Sequence, residues 1–258
     1  MNGRSIWLIH DRVIAPYINK YGFWDIELSN YISQHINSLK GMNVFIDIGA
    51  NQGLISMQVA NKLSQLSNTE FVCVEPVREF YSNLKKNIEQ INNISYDLHN
   101  FGLGSFSNSN AFTFISERNA TSSQYLSIVL AYKKIEKIGI VSVNEFIKNY
   151  LVTKTYDNLV VKSDTDGNDI EIFNSFMNAN VDVKISCYIL EVVVKDTSEY
   201  ALDKLKTNIY RFSDVLLVKR NNEKIKNKDK IISFIENGQG HIGDLFLTNQ
   251  PFELGRLK

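Results

Sequence analysis

The sequence predicts an α/β protein: a mostly parallel sheet with an antiparallel last strand, preceded by a small N-terminal helical cap. Three observations predict it. Residues 44–48 are an apolar run rich in β-branched side chains that breaks at Gly49 and gives way to a helical pattern. From there strand-like and helical runs alternate, which implies parallel strands joined by right-handed crossovers. The last two strand candidates, 215–219 and 245–248, have only a Lys/Asn-rich stretch between them, which suits antiparallel pairing.

Residues 1–40 form the cap. They hold both tryptophans, Trp7 and Trp24, with Tyr17, Tyr21 and Phe23, and end at Lys40-Gly41. Leu28, Tyr31, Ile32, Ile36 and Leu39 recur at helical spacing, and His35 falls on the polar, surface side of that helix. The main domain covers 41–258. Strand 44–48 leads to a helix over 55–66. Strand 70–75 ends in Glu75, and Pro76 opens a helix over 77–92, where its missing N–H does no harm. Residues 94–100 are a third strand running into Phe101-Gly-Leu-Gly104. Beyond a Ser/Asn-rich stretch, 112–115 and 138–143 are short strands, 116–127 a polar loop and 143–150 a short helix. Strand 157–164, helix 168–177, strand 186–194 and helix 200–209 complete the alternation. The basic run 219–230 reads as a solvated loop.

Lys plus Arg number 28 and Asp plus Glu 28, so no nucleic-acid partner is expected. Hydrophobic content of 44% is ordinary for a folded domain. Cys73 and Cys187 lie inside apolar runs and read as buried free thiols, not a disulfide. The first residues lack a long apolar segment. The most apolar window, 185–194, is too short to span a bilayer and contains Glu191. A cytoplasmic protein without a membrane span is expected, and a homo-oligomer is compatible with the composition.

The chemistry gathers at strand ends. Val44-Phe-Ile-Asp-Ile-Gly-Ala-Asn-Gln-Gly53 is a strand, a glycine turn and a helix start, the geometry that sets free backbone N–H groups beside a cofactor. Asp47 ends that strand and is expected to face the positive end of a ligand. Glu75 stands about 20 residues beyond Gly53, the place of an acidic residue that accepts from ribose hydroxyls. The glycine spacing is neither Gly-x-Gly-x-x-Gly nor that of a P-loop, so it suits a nucleoside ligand without a pyrophosphate.

A second constellation is Val160-Val-Lys-Ser-Asp-Thr-Asp-Gly-Asn-Asp-Ile-Glu171, which brings Asp164, Asp166 and Asp169 to one strand tip. Clustered like charges need a cation or shift their own pKa values; a turn with a helix cap is the alternative for Asp166 and Asp169. An EF-hand counted from Asp164 needs Gly at 169 and Glu at 175, but the sequence has Asp169 and Ser175. No metal is expected; the ligand set open to one is Asp164, Asp166 and Glu191. Glu191 interrupts a buried strand, either as a site residue or as a partner for Lys162. His10, His35, His99 and His241 lack metal-ligand spacing. His241, among Gly238, Gly240 and Gly243, is a general-base candidate or a plain loop residue.

Taken together, these motifs resemble those of class I S-adenosylmethionine-dependent methyltransferases, and more narrowly the FkbM family. Phe45-Ile-Asp-Ile-Gly-Ala-Asn-Gln-Gly53 is similar to its first motif, Phe71-Val-Cys-Val-Glu-Pro76 to its acidic second motif, and Asn100-Phe-Gly-Leu-Gly104 to its third-strand segment. Val143-Asn-Glu-Phe-Ile147 with Val161-Lys-Ser-Asp-Thr-Asp-Gly-Asn-Asp169 is similar to its later pair. Ser163 stands where a hydrophobic residue is usual, and Asp166 and Asp169 replace glutamates.

The resemblance implies a Rossmann-like sheet and O-methyl transfer from S-adenosylmethionine to a sugar, glycan or other hydroxylated small metabolite. It implies that Asp47, Gly49, Asn51 and Gly53 cradle the methionine part and ribose. Glu75 would hold the ribose hydroxyls, Gly104 would border the cofactor, and Asp164 would lie nearest the methyl group. Asp164 and His241 are then candidate bases for the acceptor hydroxyl, with Asp166 next. A divalent ion on Asp164, Asp166 and Glu191 is a second route to the same activation. The alternative from another class is a catalytically silent S-adenosylmethionine-binding or scaffold protein.

Overall fold

The computed structural model describes all residues except 1–4, 10, 65–67, 93, 117–121, 124–131, 182, 196, 239 and 251–258. Asp11 opens α1 (Ile14–Tyr21) by accepting from the N–H groups of Val13 and Ile14 at 2.6 Å and of Ala15 at 3.0 Å. Pro16 sits in the first turn, where no intrahelical donor is lost. Gly22, at φ 78°, ends the helix with its N–H on the carbonyl of Ile18. Asp25 caps α2 (Ile26–Ser38), accepting from Leu28 N–H at 3.1 Å.

In chain order there follow β1 (Met42–Ile48), α3 (Leu54–Lys62), β2 (Asn68–Val74), α4 (Arg78–Ile88), β3 (Ser95–His99), β4 (Gly102–Gly104), β5 (Asn108–Ser116), β6 (Ser122–Ser123), β7 (Tyr132–Ser142) and α5 (Val143–Phe146), which continues as a π-turn over Ile147–Leu151. Then come β8 (Asn158–Ser163), α6 (Asp169–Met177), β9 (Ile185–Val193), α7 (Glu199–Ile209), β10 (Asp214–Lys219), β11 (Lys224–Ile225), α8 (Lys228–Asn237) and β12 (His241–Thr248).

The main sheet has the order β11-β10-β12-β9-β8-β1-β2-β3. Strands β3, β2, β1, β8 and β9 are parallel, and β12 runs antiparallel to both its neighbours, β9 and β10. This is the expected Rossmann-like α/β fold with a reversed last strand. The chain leaves β1 toward β2 and β3, and leaves β8 toward β9. The carboxyl ends of β1 and β8 are thus the switch point where open α/β sheets bind ligands.

Alternation of side chains divides the core. Val44, Ile46 and Ile48 pack with Phe146, Phe173, Leu205 and Ile231 on one face. Phe45 packs with Ile32, Met57 and Leu84 on the other. Helix α2 therefore shares a core with β1 and α3. Its contact is wider than its apolar stripe: Ser29, Ser33 and His35 are buried too. His35 is not a surface residue, and burial pushes its imidazole down to about 4.

Two features differ from the local patterns. Strands β5 and β7 do not join the main sheet; they pair with each other in a four-stranded sheet of order β4-β7-β5-β6, inserted between β3 and β8. The Lys/Asn-rich stretch hides α8, capped by Asn227 on Lys230 N–H at 2.9 Å and anchored by buried Ile231 and Ile235. Of the expected polar loop, residues 117–121 and 124–127 lie outside the described residues, as does His10. Cys73 and Cys187 are free and buried. Among the described residues no helix is long and apolar enough to cross a membrane.

Candidate functional site

The register of the sheet sets Asp47 of β1 beside Lys162 of β8. The Lys162 Nζ lies 3.0 Å from Asp47 Oδ1 and 3.6 Å from Asp164 Oδ2, and donates to the carbonyl of Gly49 at 3.3 Å. The Ser56 hydroxyl donates to Asp47 Oδ2 at 2.6 Å. Burial opposes the charge on Lys162, but Asp47 and Asp164 outweigh it and hold the ammonium above its ordinary range. Asp47 itself is 0% exposed. Its carboxylate therefore anchors Lys162 under the glycine turn and does not face the cavity above it.

Gly49 adopts φ 71°, and a Cβ there would meet the Asp164 carbonyl oxygen at 2.0 Å. Glycine lets the tips of β1 and β8 touch. Gly49→Ala is expected to lower unfolding stability by about 3 kcal/mol in urea titrations; a change below about 0.5 kcal/mol would show that this approach is not needed. Gly53, at φ 79°, lies against Leu84 at the start of α3 and has a packing role.

Asn51 also has a positive φ, 51°. Its N–H donates to Glu75 Oε2 at 2.8 Å, and the Val77 N–H donates to Oε1 at 2.9 Å. Glu75 is 3% exposed. Burial pushes its carboxyl up to about 7, against the pull of those two N–H groups.

Gly49, Asn51, Glu75, Leu103, Asp164 and Asp166 line one cavity at the carboxyl edge of the sheet. Val74, Pro76, Ile138 and Ile140 give it an apolar wall, and Thr113, Ser122 and Ser123 a polar one. All three residues of that second wall, with Ile138 and Ile140 of the first, belong to the small sheet. No sequence motif marks these residues; only the fold brings them here. Among the described residues the lining has three carboxylates and no lysine, arginine or histidine. Gly102 and Leu103 line the cavity, whereas Gly104, one residue on, packs against Ile140.

The other predicted carboxylates separate in role. Asp169 is buried and organises the turn, accepting from Ser163 Oγ at 2.5 Å, Thr165 N–H at 3.0 Å and Thr165 Oγ1 at 3.0 Å. Burial, then Asp164, pushes its carboxyl up to about 6. Asp166 stays at the cavity in a left-handed conformation, φ 52°. Burial, then Asp164 and Asp169, holds its carboxyl well above the carboxylate range.

Glu191 does not pair with Lys162. It faces His241, whose Nε2 lies 3.2 Å from Glu191 Oε1, while Arg220 Nε donates to His241 Nδ1. Burial, with Arg220 nearby, lowers the imidazole to about 4. His241 Nδ1 is thus taken up by Arg220, whereas Nε2 makes no hydrogen bond, and the residue lies outside the cavity of Glu75. Among the described residues no three His, Cys, Asp or Glu side chains converge as a metal-ligand set, and Asp164, Asp166 and Glu191 do not form one.

Comparison with known proteins gives one family and several structural likenesses. Residues 10–235 match the family model described as the Vibrio cholerae RfbT protein. No curated protein matches the sequence. Among solved structures, the O-methyltransferase TomG from Streptomyces achromogenes, in complex with SAM, is 12% identical, with 92% of this chain and 87% of that chain covered and a TM-score of 0.42. A precorrin-6y C5,15-methyltransferase from Geobacter metallireducens is 11% identical, with 86% and 89% covered and a TM-score of 0.39. A SAM-dependent O-methyltransferase from Thermotoga maritima is 10% identical, with 91% and 70% covered and a TM-score of 0.41. The family match spans most of the chain, including both strand tips of the cavity and the loops that follow them: the chain belongs to the Vibrio cholerae RfbT protein family.

Proposed function

We propose that the chain is an S-adenosylmethionine-dependent O-methyltransferase acting on a hydroxyl of a sugar, glycan or related small metabolite. One observation carries the reading: a cavity at the switch point whose charged lining is wholly acidic, with Glu75 fixed beside the glycine turn. The residues fit this cofactor. A sulfonium is a cation and is favoured by Glu75, Asp164 and Asp166, whereas a pyrophosphate would be repelled by them. Glu75 is placed to take ribose hydroxyls as charge-assisted acceptors. The start of α3 has no side-chain cap, which leaves its N–H groups for a carboxylate. Val74, Leu103 and Ile140 offer an apolar surface to a purine.

The bound cofactor supplies a methyl group already activated on sulfur. The protein's part is to align the acceptor and remove its proton. Of the three carboxylates at the cavity, Glu75 is taken up by the N–H groups of Asn51 and Val77, which leaves Asp164 and Asp166 as the candidates for the base. The raised affinity of Asp166 for its proton suits it to that role near neutral pH.

Calorimetric titration with S-adenosylhomocysteine tests the reading directly; absence of binding would reject it. A carboxylate base must be ionised, so turnover is expected to rise with pH through the ionisation of Asp166. Asp166→Asn is expected to lower kcat by roughly 100-fold or more and to flatten that limb. A variant with an unchanged pH profile would move the role to Asp164.

A further inference from the structure

Residues 5–9 form neither helix nor strand, yet two buried side-chain amides tie them to the glycine turn. Asn87 of α4 accepts from Trp7 N–H at 2.8 Å and donates to the Trp7 carbonyl at 2.9 Å. The same Nδ2 donates to the carbonyl of Gln52 at 2.8 Å. Gln52 Oε1 in turn accepts from Ile9 N–H at 2.6 Å and from Asn83 Nδ2 at 3.2 Å. Asn87 and Gln52 are both 0% exposed.

Two observations set this tie apart from ordinary packing. The first is where it lands. Glu75 is held by two N–H groups, those of Asn51 and Val77. Gln52 follows Asn51 directly, and Val77 shares one apolar cluster with Ile6, Leu8 and Ile9. That cluster also holds Leu54, at the start of α3, and Ile115 of the small sheet. The segment therefore braces both donors, although among the described residues none of 5–9 lines the Glu75 cavity. The second is Gln52 itself. Among the described residues its Nε2 is buried without an acceptor. An apolar side chain would avoid that cost, so the amide is kept for what its oxygen holds. Trp24, the other tryptophan of the cap, is held in a similar way by Gln58, which accepts from its N–H at 3.0 Å and donates to its carbonyl. Gln58, however, lies along α3 and not in the turn.

We propose that residues 5–9 are a strap that sets the glycine turn for the cofactor, with Asn87 and Gln52 as positioning residues, and that strap docking and cofactor binding are linked. A segment without ladder hydrogen bonds sits at the low end of local stability. A cofactor that needs Asn51 and Glu75 in place orders the turn and so holds the strap down. By linkage, a docked strap raises the affinity for the cofactor by the same factor. The proposal rests on the cofactor reading of the cavity above.

The test uses the full chain, with amide exchange read by NMR and S-adenosylhomocysteine affinity by calorimetry. The ligand is expected to slow exchange at Trp7 and Ile9 by about fivefold or more. Asn87→Leu breaks the tie from the α4 side. Trp7→Pro breaks it from the strap, at a residue 50% exposed, by removing the N–H that meets Asn87. Each is expected to weaken S-adenosylhomocysteine binding about tenfold. Trp7→Ala, which keeps that N–H, and Gln58→Leu, which frees Trp24 instead, are expected to stay within about twofold of wild type. A merely structural tie would lower the urea midpoint of the variants and leave the affinity of the folded protein unchanged. If the ligand leaves exchange at Trp7 and Ile9 as it was, or if Trp7→Pro binds like wild type, the strap only packs: the proposal falls and the cofactor reading stands. If Trp7→Ala weakens binding as much as Trp7→Pro, the ring carries the tie and the assignment to Asn87 and Gln52 falls. Failure of the wild type to bind S-adenosylhomocysteine overturns the cofactor reading and this proposal with it.

Discussion

Replacing Glu75 with alanine is expected to weaken S-adenosylhomocysteine binding by about 100-fold or more. Two hydrogen bonds to a charged acceptor are each worth roughly 1.5–3 kcal/mol when their partner is lost, and the ribose diol would lose both. Glu75 also ties the turn after β1 to the turn after β2 through the N–H groups of Asn51 and Val77. A purely structural role would therefore lower stability as well as affinity. The pH dependence separates the two roles. The carboxyl is raised from 4.5 to about 7 in the folded protein. Its contribution to stability is fully present below pH about 4.3 and is lost as the pH rises through 7. Across that window the alanine variant should gain on wild type by roughly 3 kcal/mol in urea unfolding. Weakened binding together with this relative gain at pH 8 identifies a ligand-directed carboxylate; unchanged calorimetric affinity would reject the ribose role.

Lys162→Met is expected to show the largest loss of stability of any single substitution at the site, about 3–5 kcal/mol. It removes the cation and leaves Asp47 buried without its partner. Asp47→Asn combined with Lys162→Met should recover most of that loss, because both charges then go together. Urea unfolding at pH 7 measures both. In the wild type the lysine's raised pKa means its contribution is fully present below pH about 10.4 and is lost only as the pH climbs through the still higher folded value. A single variant that unfolds at the wild-type midpoint would show that Asp47 takes up a proton at little cost.

The site was partly legible in the sequence because its first half is local. The β1 turn, the glycine at 49 and the acid at 75 follow one another along the chain, and each announces itself by residue type and spacing. Asp164 and Asp166 were legible for the same reason. Their neighbour Asp169 was not distinguishable from them, since only the folded turn shows that Ser163 and Thr165 saturate it. Asp47 read as a ligand contact because its strand position is right; which way its carboxylate turns depends on Lys162, 115 residues later (47 to 162), reached through strand register. His35 read as exposed because polarity was taken for exposure, while α2 packs through serines and an imidazole. The inserted sheet was the largest omission. Its strands carry ordinary alternating patterns, and nothing in a pattern tells which sheet a strand will join.

The position of β12 has a consequence for how the chain is made. Synthesis delivers β9 and β10 first, yet the strand that separates them in the finished sheet comes after both. Until it emerges, two ribbon borders have no partner, and each is a template for pairing with a stranger. The nascent protein is therefore most vulnerable to aggregation just before its 241–248 segment leaves the ribosome, and fragments ending short of that segment should be recovered as inclusion bodies.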